Sequence, residues 1–482
     1  MLRIETIQAL SSHPLPIAVL VIASAIFCRC FYRIYLHPLS AVPGPKLAAC
    51  TSLWLTYHTY IGDECTVVYG LHQKYGPVLR VAPNDVDIAH LDAIEPLYFA
   101  CGGFPKARPY SKFDLDGHAT IFSTLNLSDR AARAKAVTPL FSSASIRSSQ
   151  KALGDVFDAF VARLRSEART AKPVNVLNAA RAMAIDGMSA HLFHERYGAM
   201  TETADLMSAS PFVDSCVQIG AFFNLVPGKM GDALMAMVER WSTNTKLKES
   251  HGLIDKYTRK LVQTAVPESG SYQSRLLGKL TAAQCQIELI DVCFAGTDST
   301  AMNTASIMWY LTKQPDIYAR LRQEVLKTTQ NGEDPMTCAY LRGVIREGLR
   351  LSWSTPVRLP RLVPAGGWQC LGFHFPAETS VGVASYQLHQ DSSMFHNPQQ
   401  FEPERWDNPS SAMLTAFMPF GKGTRSCLAQ PLATYEVTMS IFKVVEADLL
   451  RGATIVQDRI EIKEWFNTEV KGGEILVQFA QS

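Results

Sequence analysis

The chain has 482 residues, 47% of them hydrophobic and 19% charged, a balance that belongs to a globular protein with a large apolar core. A formal net charge of +2, without any dense run of Lys and Arg, argues against a nucleic-acid partner. Eleven cysteines, an odd number with no Cys-x-x-Cys pair, argue against a disulfide framework and predict reduced thiols facing a cytosol.

The first element is an apolar run at residues 15–28, which carries no charge and would make about 21 Å of helix at 1.5 Å per residue. Against a hydrocarbon core of about 30 Å that is short. Arg29 and Arg33 extend it if they snorkel, with Phe31, Tyr32 and Tyr35 at the interface, and these basic residues predict a cytosolic C-terminal side. Ala23, Ser24 and Ala25 also fit a signal-peptide cleavage site, but Arg3 is balanced by Glu5, so the preceding segment lacks the required positive charge. Pro38, Pro43 and Pro45 then read as a stiff extended connector. A lone sequon at Asn126 stays unmodified on a cytosolic domain.

Residues 78–83 alternate as a strand that stops at Pro83. Residues 101–122 are rich in Gly, Pro and aromatics and read as a loop. A helix is expected over 129–141, carrying Arg130, Arg133 and Lys135, and a core helix over 174–197. Residues 201–227 mix Phe212, Phe222, Phe223 and Leu225 with few charges. The longest element begins with the capping box Thr281-x-x-Gln284 and runs to Lys313, just before Pro315, or about 50 Å of helix. Ala295-Gly296-Thr297-Asp298-Ser299-Thr300 lies in its middle. Small residues there let a flat group approach, and an acid beside hydroxyls competes with the helix's own hydrogen bonds.

Glu347 and Arg350 share a helix face, although Glu402 and Arg405 repeat the same spacing, so the pattern alone is not distinctive. Short strands and turns follow at 372–388. Near the C-terminus, Pro419-Phe420-Gly421-Lys422-Gly423-Thr424-Arg425-Ser426-Cys427-Leu428-Ala429 sets one cysteine behind a glycine loop. Gly421 and Gly423 admit a large flat partner close to the main chain, and Arg425 with backbone N–H groups favours the Cys427 thiolate, the form that ligates metal. A helix over 431–450 and a tail with Phe466 and a hairpin at 472–477 complete the chain.

The pattern Phe420-x-x-Gly423-x-Arg425-x-Cys427 resembles the haem-binding signature of the cytochrome P-450 family, the haem-thiolate monooxygenases, with Ala429 in place of its last glycine. The resemblance covers about residues 38–482. It implies a mainly α fold with a small β portion: an N-terminal membrane anchor at 1–36, a proline-rich hinge at 37–48 and one haem-thiolate catalytic domain at 49–482. It implies haem b with Cys427 on the iron, Phe420, Gly421 and Arg425 against the cofactor, and Arg133 and Arg361 at its propionates. Asp129 stands where the family often has His or Trp, and an acid there would repel a propionate. Asp298, Ser299 and Thr300 match the oxygen-activation motif, with serine at the usual threonine. Glu347, Arg350 and Arg405 match a structural ion-pair cluster, and His389 occupies a structural position. The 101–122 loop, the 201–227 lid, residues 354–357 and the tip of the tail hairpin would face substrate.

The activity so implied is insertion of one oxygen atom from O2 into an apolar small molecule. Electrons would come from NADPH through a separate reductase, because no flavin or Rossmann glycine pattern is present. Lys422 and Lys443 suggest a basic surface for that donor. The hinge, the Pro403–Trp406 segment and the tail are most similar to filamentous-fungal members of specialised metabolism, which suggests a terpenoid or polyketide intermediate. The location implied is the endoplasmic reticulum membrane, with the catalytic domain facing the cytosol. An O2-independent isomerase or dehydratase is the alternative, though such members usually lack the acid and hydroxyl pair. A non-catalytic haem protein stays open through Ser299 and Ala429.

Overall fold

The structure, a computed structural model, describes residues 14–225 and 245–481. Helix α1, Pro14–Phe31, continues as a π-helical turn over Tyr32–Leu36, so Arg29 and Arg33 lie inside the apolar helix rather than beyond it. Ile17–Leu36 gives 20 residues of mean hydropathy 2.0, none buried, which is long and apolar enough to cross a membrane. Buried Arg80 donates to the Arg33 carbonyl at 2.8 Å and fastens the end of this segment to the first sheet. The proline stretch after it was expected to be extended, but it folds into turns. Leu39 and Val42 are buried beside Val78 and Val86, and that apolar burial outweighs the solvated extended state the prolines favour.

Helix α2, Leu53–Ile61, leads to strand β1, Val78–Ala82, which stops at Pro83 as expected and pairs antiparallel with β2, Asp85–Ile88. Helix α3, Leu127–Val137, is capped by Asn126, whose Oδ1 accepts from the Ser128 N–H at 2.9 Å. It ends before residue 141 because Pro139 shifts the chain into the 3₁₀ turn Thr138–Phe141. Helix α4 is Gln150–Ala168, strand β3 is Val174–Asn175 and helix α5 is Val176–Leu192.

Every residue of α5 is buried, polar ones included. Burial there is tolerated because the polar groups are met: the Asp186 carboxylate accepts the N–H groups of Gly198, Ala199 and Met200 at 2.7 to 3.0 Å. Helices α6, Ala209–Ile219, and α7, Thr245–Gln263, cover one side. Val226 and Pro227, the end of the expected lid, lie outside the described residues.

Helix α8, Ala282–Lys313, has the expected length and a complete capping box. The helix runs unbroken through 295–300, so the expected competition for its hydrogen bonds does not interrupt it. The Thr297 and Ser299 hydroxyls instead donate to the carbonyls four residues back, Cys293 at 2.6 Å and Ala295 at 3.2 Å. Gly296 faces α5, where an added Cβ would sit 2.8 Å from Met188 Cγ, so its smallness serves helix packing rather than a flat ligand.

Pro315 opens helix α9, Pro315–Gln330, and helix α10, Ala339–Leu351, carries Glu347 and Arg350 into a buried cluster with Arg405, as expected. Strands β4, Arg361–Leu362, and β5, Ser380–Gly382, complete a four-stranded sheet ordered β1-β2-β5-β4. His389 is structural, also as expected. It is buried, its Nε2 accepts from the Met418 N–H at 3.2 Å, and burial with Arg350 nearby pushes its pKa down to about 3, so it stays neutral.

Helix α11, Gln430–Glu446, follows the cysteine loop. Strands β6, Thr454–Ile455, and β7, Leu476–Gln478, join β3 in a second sheet ordered β3-β7-β6. The C-terminal hairpin differs from expectation: Ile462–Lys463 pairs with Glu469–Val470, so the segment that reaches the interior is Phe466 and Asn467. Gly472 and Gly473 form a separate 3₁₀ turn. All eleven cysteines are free.

Candidate active site

A cavity of about 810 Å³ lies between α8, the cysteine loop, α6 and the tail hairpin. Its floor is the loop 419–429. The Cys427 N–H donates to the Phe420 carbonyl at 2.9 Å, which folds the loop back on itself and turns the sulfur toward the cavity. The sulfur is therefore open to the cavity interior while the protein surrounds it. Burial raises the thiol pKa, and the N–H groups of Ala429 and Gln430 oppose that shift by favouring thiolate. Gly421 and Phe420 line the cavity beside it.

Gly423 holds the loop against the preceding wall at φ +72°, where an added Cβ would lie 1.7 Å from the Tyr98 carbonyl oxygen. The left-handed backbone alone costs a larger residue about 1–2 kcal/mol, before any clash. Gly423→Ala is expected to fold with little bound cofactor, read as a fall in the ratio of haem to protein after purification.

Four cations converge at one end of the cavity: Lys106, Arg130, Arg361 and Arg425. Lys106 and Arg361 are bridged through their backbones, which pins the 101–122 loop to β4. Arg361 donates to the Tyr110 hydroxyl at 3.2 Å, and Arg425 to the Thr124 carbonyl at 3.2 Å, leaving its buried Nε and Nη2 without a partner. Burial and mutual repulsion hold the Lys106 and Arg130 pKa values down, and push Arg425 to about 10. Among the described residues none of the four makes an ion pair. Such a cluster needs anions, and two carboxylates on a flat ring seated over Cys427 would supply them, so the residues fit an iron porphyrin such as haem b.

Arg133, expected at a propionate, does not line this cavity. It is held at 2.7 Å by Glu288 of α8 and donates to the Ala119 carbonyl at 2.6 Å. Asp129 lies exposed in the first turn of α3, and the basic side chain this helix turns to the cavity is Arg130. Lys106 and Arg130 were missed. An aperiodic loop gives no facing for Lys106, and a short Ala-rich helix with three basic residues gives several possible faces. Arg358 is bound to Asp85 at 3.0 Å, outside the cavity. Lys443 is paired with Asp158 at 3.1 Å, which reduces the basic surface expected of it.

The face of α8 over the cavity is set by four-residue spacing: Ile287, Asp291, Ala295, Ser299 and Asn303. Of the three residues expected to carry oxygen chemistry, only Ser299 faces the cavity. Asp298 lies beside it, 3% exposed, with Asn467 donating to its Oδ2 at 3.0 Å and Arg181 4.0 Å from its Oδ1. Burial pushes the Asp298 pKa up to about 6 against the pull of Arg181 and Asn467. Thr300 points away, to the buried Glu436 on α11, whose pKa burial raises well above the usual range. Burial likewise raises Asp291 to about 6 and Glu288 to about 7. A buried acid titrating near neutrality beside a cavity hydroxyl can exchange a proton with that space.

One wall of the cavity is aromatic. Phe466 at the hairpin tip has its ring 4.8 Å from Phe223 and 4.9 Å from Phe113, with Phe122 and Tyr110 alongside. Of the expected residues 354–357, Ser354 and Thr355 line the same space, while Val357 is buried in the cluster behind it. Such a wall favours an apolar guest.

Comparison with known proteins agrees with this geometry. The family model described as Cytochrome P450 matches residues 42–447. Cytochrome P450 monooxygenase mfmF of Annulohypoxylon moriforme is 34% identical over 97% of this chain and 99% of its own length. Cytochrome P450 monooxygenase orf2 of Aspergillus niger is 25% identical over 98% of this chain and 100% of its own. The fusicoccadiene C-8 hydroxylase of Alternaria brassicicola is 27% identical over 85% and 84% of the two chains. With the cysteine loop, the long central helix and the cation-lined cavity all in place, the chain belongs to the cytochrome P450 family.

Proposed function

We propose that this cytochrome P450 is a haem-thiolate monooxygenase that inserts one oxygen atom from O2 into an apolar small molecule, as a tailoring step in fungal specialised metabolism. The observation that supports this reading is one cavity lined by Cys427, by Ser299 and, at one end, by four basic residues that make no ion pair among the described residues. Haem b held there supplies O2 activation and oxygen transfer, with electron density from the thiolate favouring O–O cleavage.

The chain's own residues then have distinct tasks. Cys427 would hold the iron, Phe420 and Gly421 would lie against the ring, and Arg361, Arg425, Arg130 and Lys106 would receive the propionates. Arg133 steadies α3 through Glu288. Asp298 carries the proton and Ser299 presents its hydroxyl to the cavity to pass it on, while Thr300 braces α8 against α11. The aromatic wall excludes water and orients an apolar substrate, for which a terpenoid or polyketide intermediate fits. One relative, by its name, hydroxylates fusicoccadiene.

Residues 1–36 serve as anchor in the endoplasmic reticulum membrane, 37–48 join it to the catalytic domain, and 49–482 face the cytosol. Electrons arrive from NADPH through a separate reductase. The test uses microsomes containing the full chain and a fungal NADPH-dependent reductase, supplied with a panel of terpene hydrocarbons and reduced polyketides under ¹⁸O2. One labelled oxygen per product molecule, with NADPH consumed, is the expected result. A product formed without O2 would instead establish the isomerase or dehydratase.

A further inference from the structure

The tail hairpin brings together three structures that are distant in sequence. On its first side the Glu464 N–H donates to the Gly62 carbonyl at 2.8 Å, and the Trp465 indole N–H donates to the Tyr60 carbonyl at 3.2 Å. On its second side the Thr468 N–H donates to the Ser354 carbonyl at 3.2 Å, and its hydroxyl to the Trp353 carbonyl. Between these anchors lie two residues, Phe466 and Asn467, both lining the cavity. Phe466 packs into the aromatic wall, and Gly220 at the end of α6 lies so close that an added Cβ would be 3.0 Å from the Phe466 nitrogen. Asn467 reaches the other way, to Asp298.

The Asn467 bond is the one hydrogen bond to the Asp298 carboxyl among the described residues. Arg181 on α5 faces the same carboxyl at 4.0 Å, but its guanidinium is bound at 2.8 Å to Asp214 of α6, and its Nε has no partner. The charged and titratable groups that face Asp298 are thus Arg181 from α5, Asp214 and the neutral thiol of Cys216 from α6, and beside them stands the Asn467 amide of the hairpin. An amide donor does not titrate, so Asn467 acts on the acid through position alone.

We propose that Asn467 is a positioning residue that ties the Asp298 carboxyl to the hairpin tip, and that a guest seated against Phe466 shifts this tip and releases the acid. The inference rests on the reading of Asp298 as proton carrier. A hydrogen bond to the ionised carboxylate stabilises that form, so its loss raises the proton affinity of Asp298. Filling the cavity thereby raises the proton affinity of Asp298, and emptying it restores the bond that favours the ionised form. Proton supply becomes coupled to the presence of substrate, without any change in the residues that bind the cofactor.

The test is an infrared pH titration of the Asp298 carbonyl stretch in the full-length holoprotein, assigned by difference from Asp298→Asn. Asn467→Leu is expected to move the midpoint upward by about one to two pH units, the size of a hydrogen bond to a charged group. Asn467→Gln, which keeps the amide donor, is expected to stay near the parent. Phenylimidazole, which fills the cavity while its azole ligates iron, is expected to raise the parent's midpoint and leave that of Asn467→Leu where it is. An unchanged midpoint in Asn467→Leu overturns the proposal, and so does a parent midpoint indifferent to phenylimidazole. If Asp298→Asn leaves oxygen-dependent turnover intact while the midpoints still move as expected, the proton-carrier reading fails and the hairpin link stands.

Discussion

Cys427→Ser is expected to abolish the red-shifted Soret band of the reduced carbon monoxide complex and to reduce product formation to background. Thiolate sulfur is a soft, electron-rich donor, and the band and the oxygen-cleaving chemistry both depend on that donation. Serine keeps the size and the loop geometry, including the N–H bond from residue 427 to the Phe420 carbonyl, so the fold is retained. Among the described residues one other thiol lines the cavity, Cys216. Burial pushes its pKa up to about 12, so it remains a neutral thiol, whereas the loop at Cys427 supplies two N–H groups that favour thiolate. The paired control, Cys216→Ala, is therefore expected to keep the band at full height. A band that survives in Cys427→Ser would reassign the iron ligand and with it the whole lower face of the site.

The contrast between Cys427 and Arg133 explains what the sequence made legible. Where function requires several residue types within a few positions, as in the cysteine loop and at 295–300, the motif is local and can be found without knowing the fold. The length and start of α8 were equally legible, because a capping box and a following proline are local signals too. Facing was harder. At 295–300 the run is one helical turn and a half, so its residues divide among several directions: the cavity for Ser299, α5 for Gly296 and α11 for Thr300. Lys106 and Asn467 left no trace, because their partners, Arg361 and Asp298, are supplied by strand pairing and hairpin placement far along the chain. The tail was misjudged for a related reason. Two glycines attracted the turn assignment, while the turn that matters is set by the pairing of Ile462–Lys463 with Glu469–Val470.

Glu347→Ala is expected to give the largest loss of stability of any single substitution outside the cavity. The carboxylate is fully buried and accepts from Arg350 at 2.7 and 2.9 Å, from Arg405 at 2.9 Å, from the Trp406 indole at 3.0 Å and from the Glu402 N–H at 3.0 Å. Alanine would leave two buried guanidinium groups facing each other without their shared anion, a change that costs about 3–5 kcal/mol. Arg350 also donates to the carbonyls of His389, Pro398 and Gln400, and His389 in turn accepts from the Met418 N–H, one residue before the cysteine loop begins. The Glu347 cluster thus supports the chain that leads into the floor of the cavity, and its loss lowers the barrier to opening there. For a chain of this size the useful measure is a rate, because unfolding at high temperature is rarely reversible. Haem release on mild heating, followed at the Soret band, is expected to accelerate by roughly a hundredfold or more in Glu347→Ala, since each 1.4 kcal/mol is a factor of ten. Glu347→Gln keeps an acceptor but not the charge, and should fall between the two. The spectrum before heating is expected to match the parent in both variants, since no ligand to the cofactor has been removed, and a spectrum already altered at rest would place Glu347 in the site rather than beneath it.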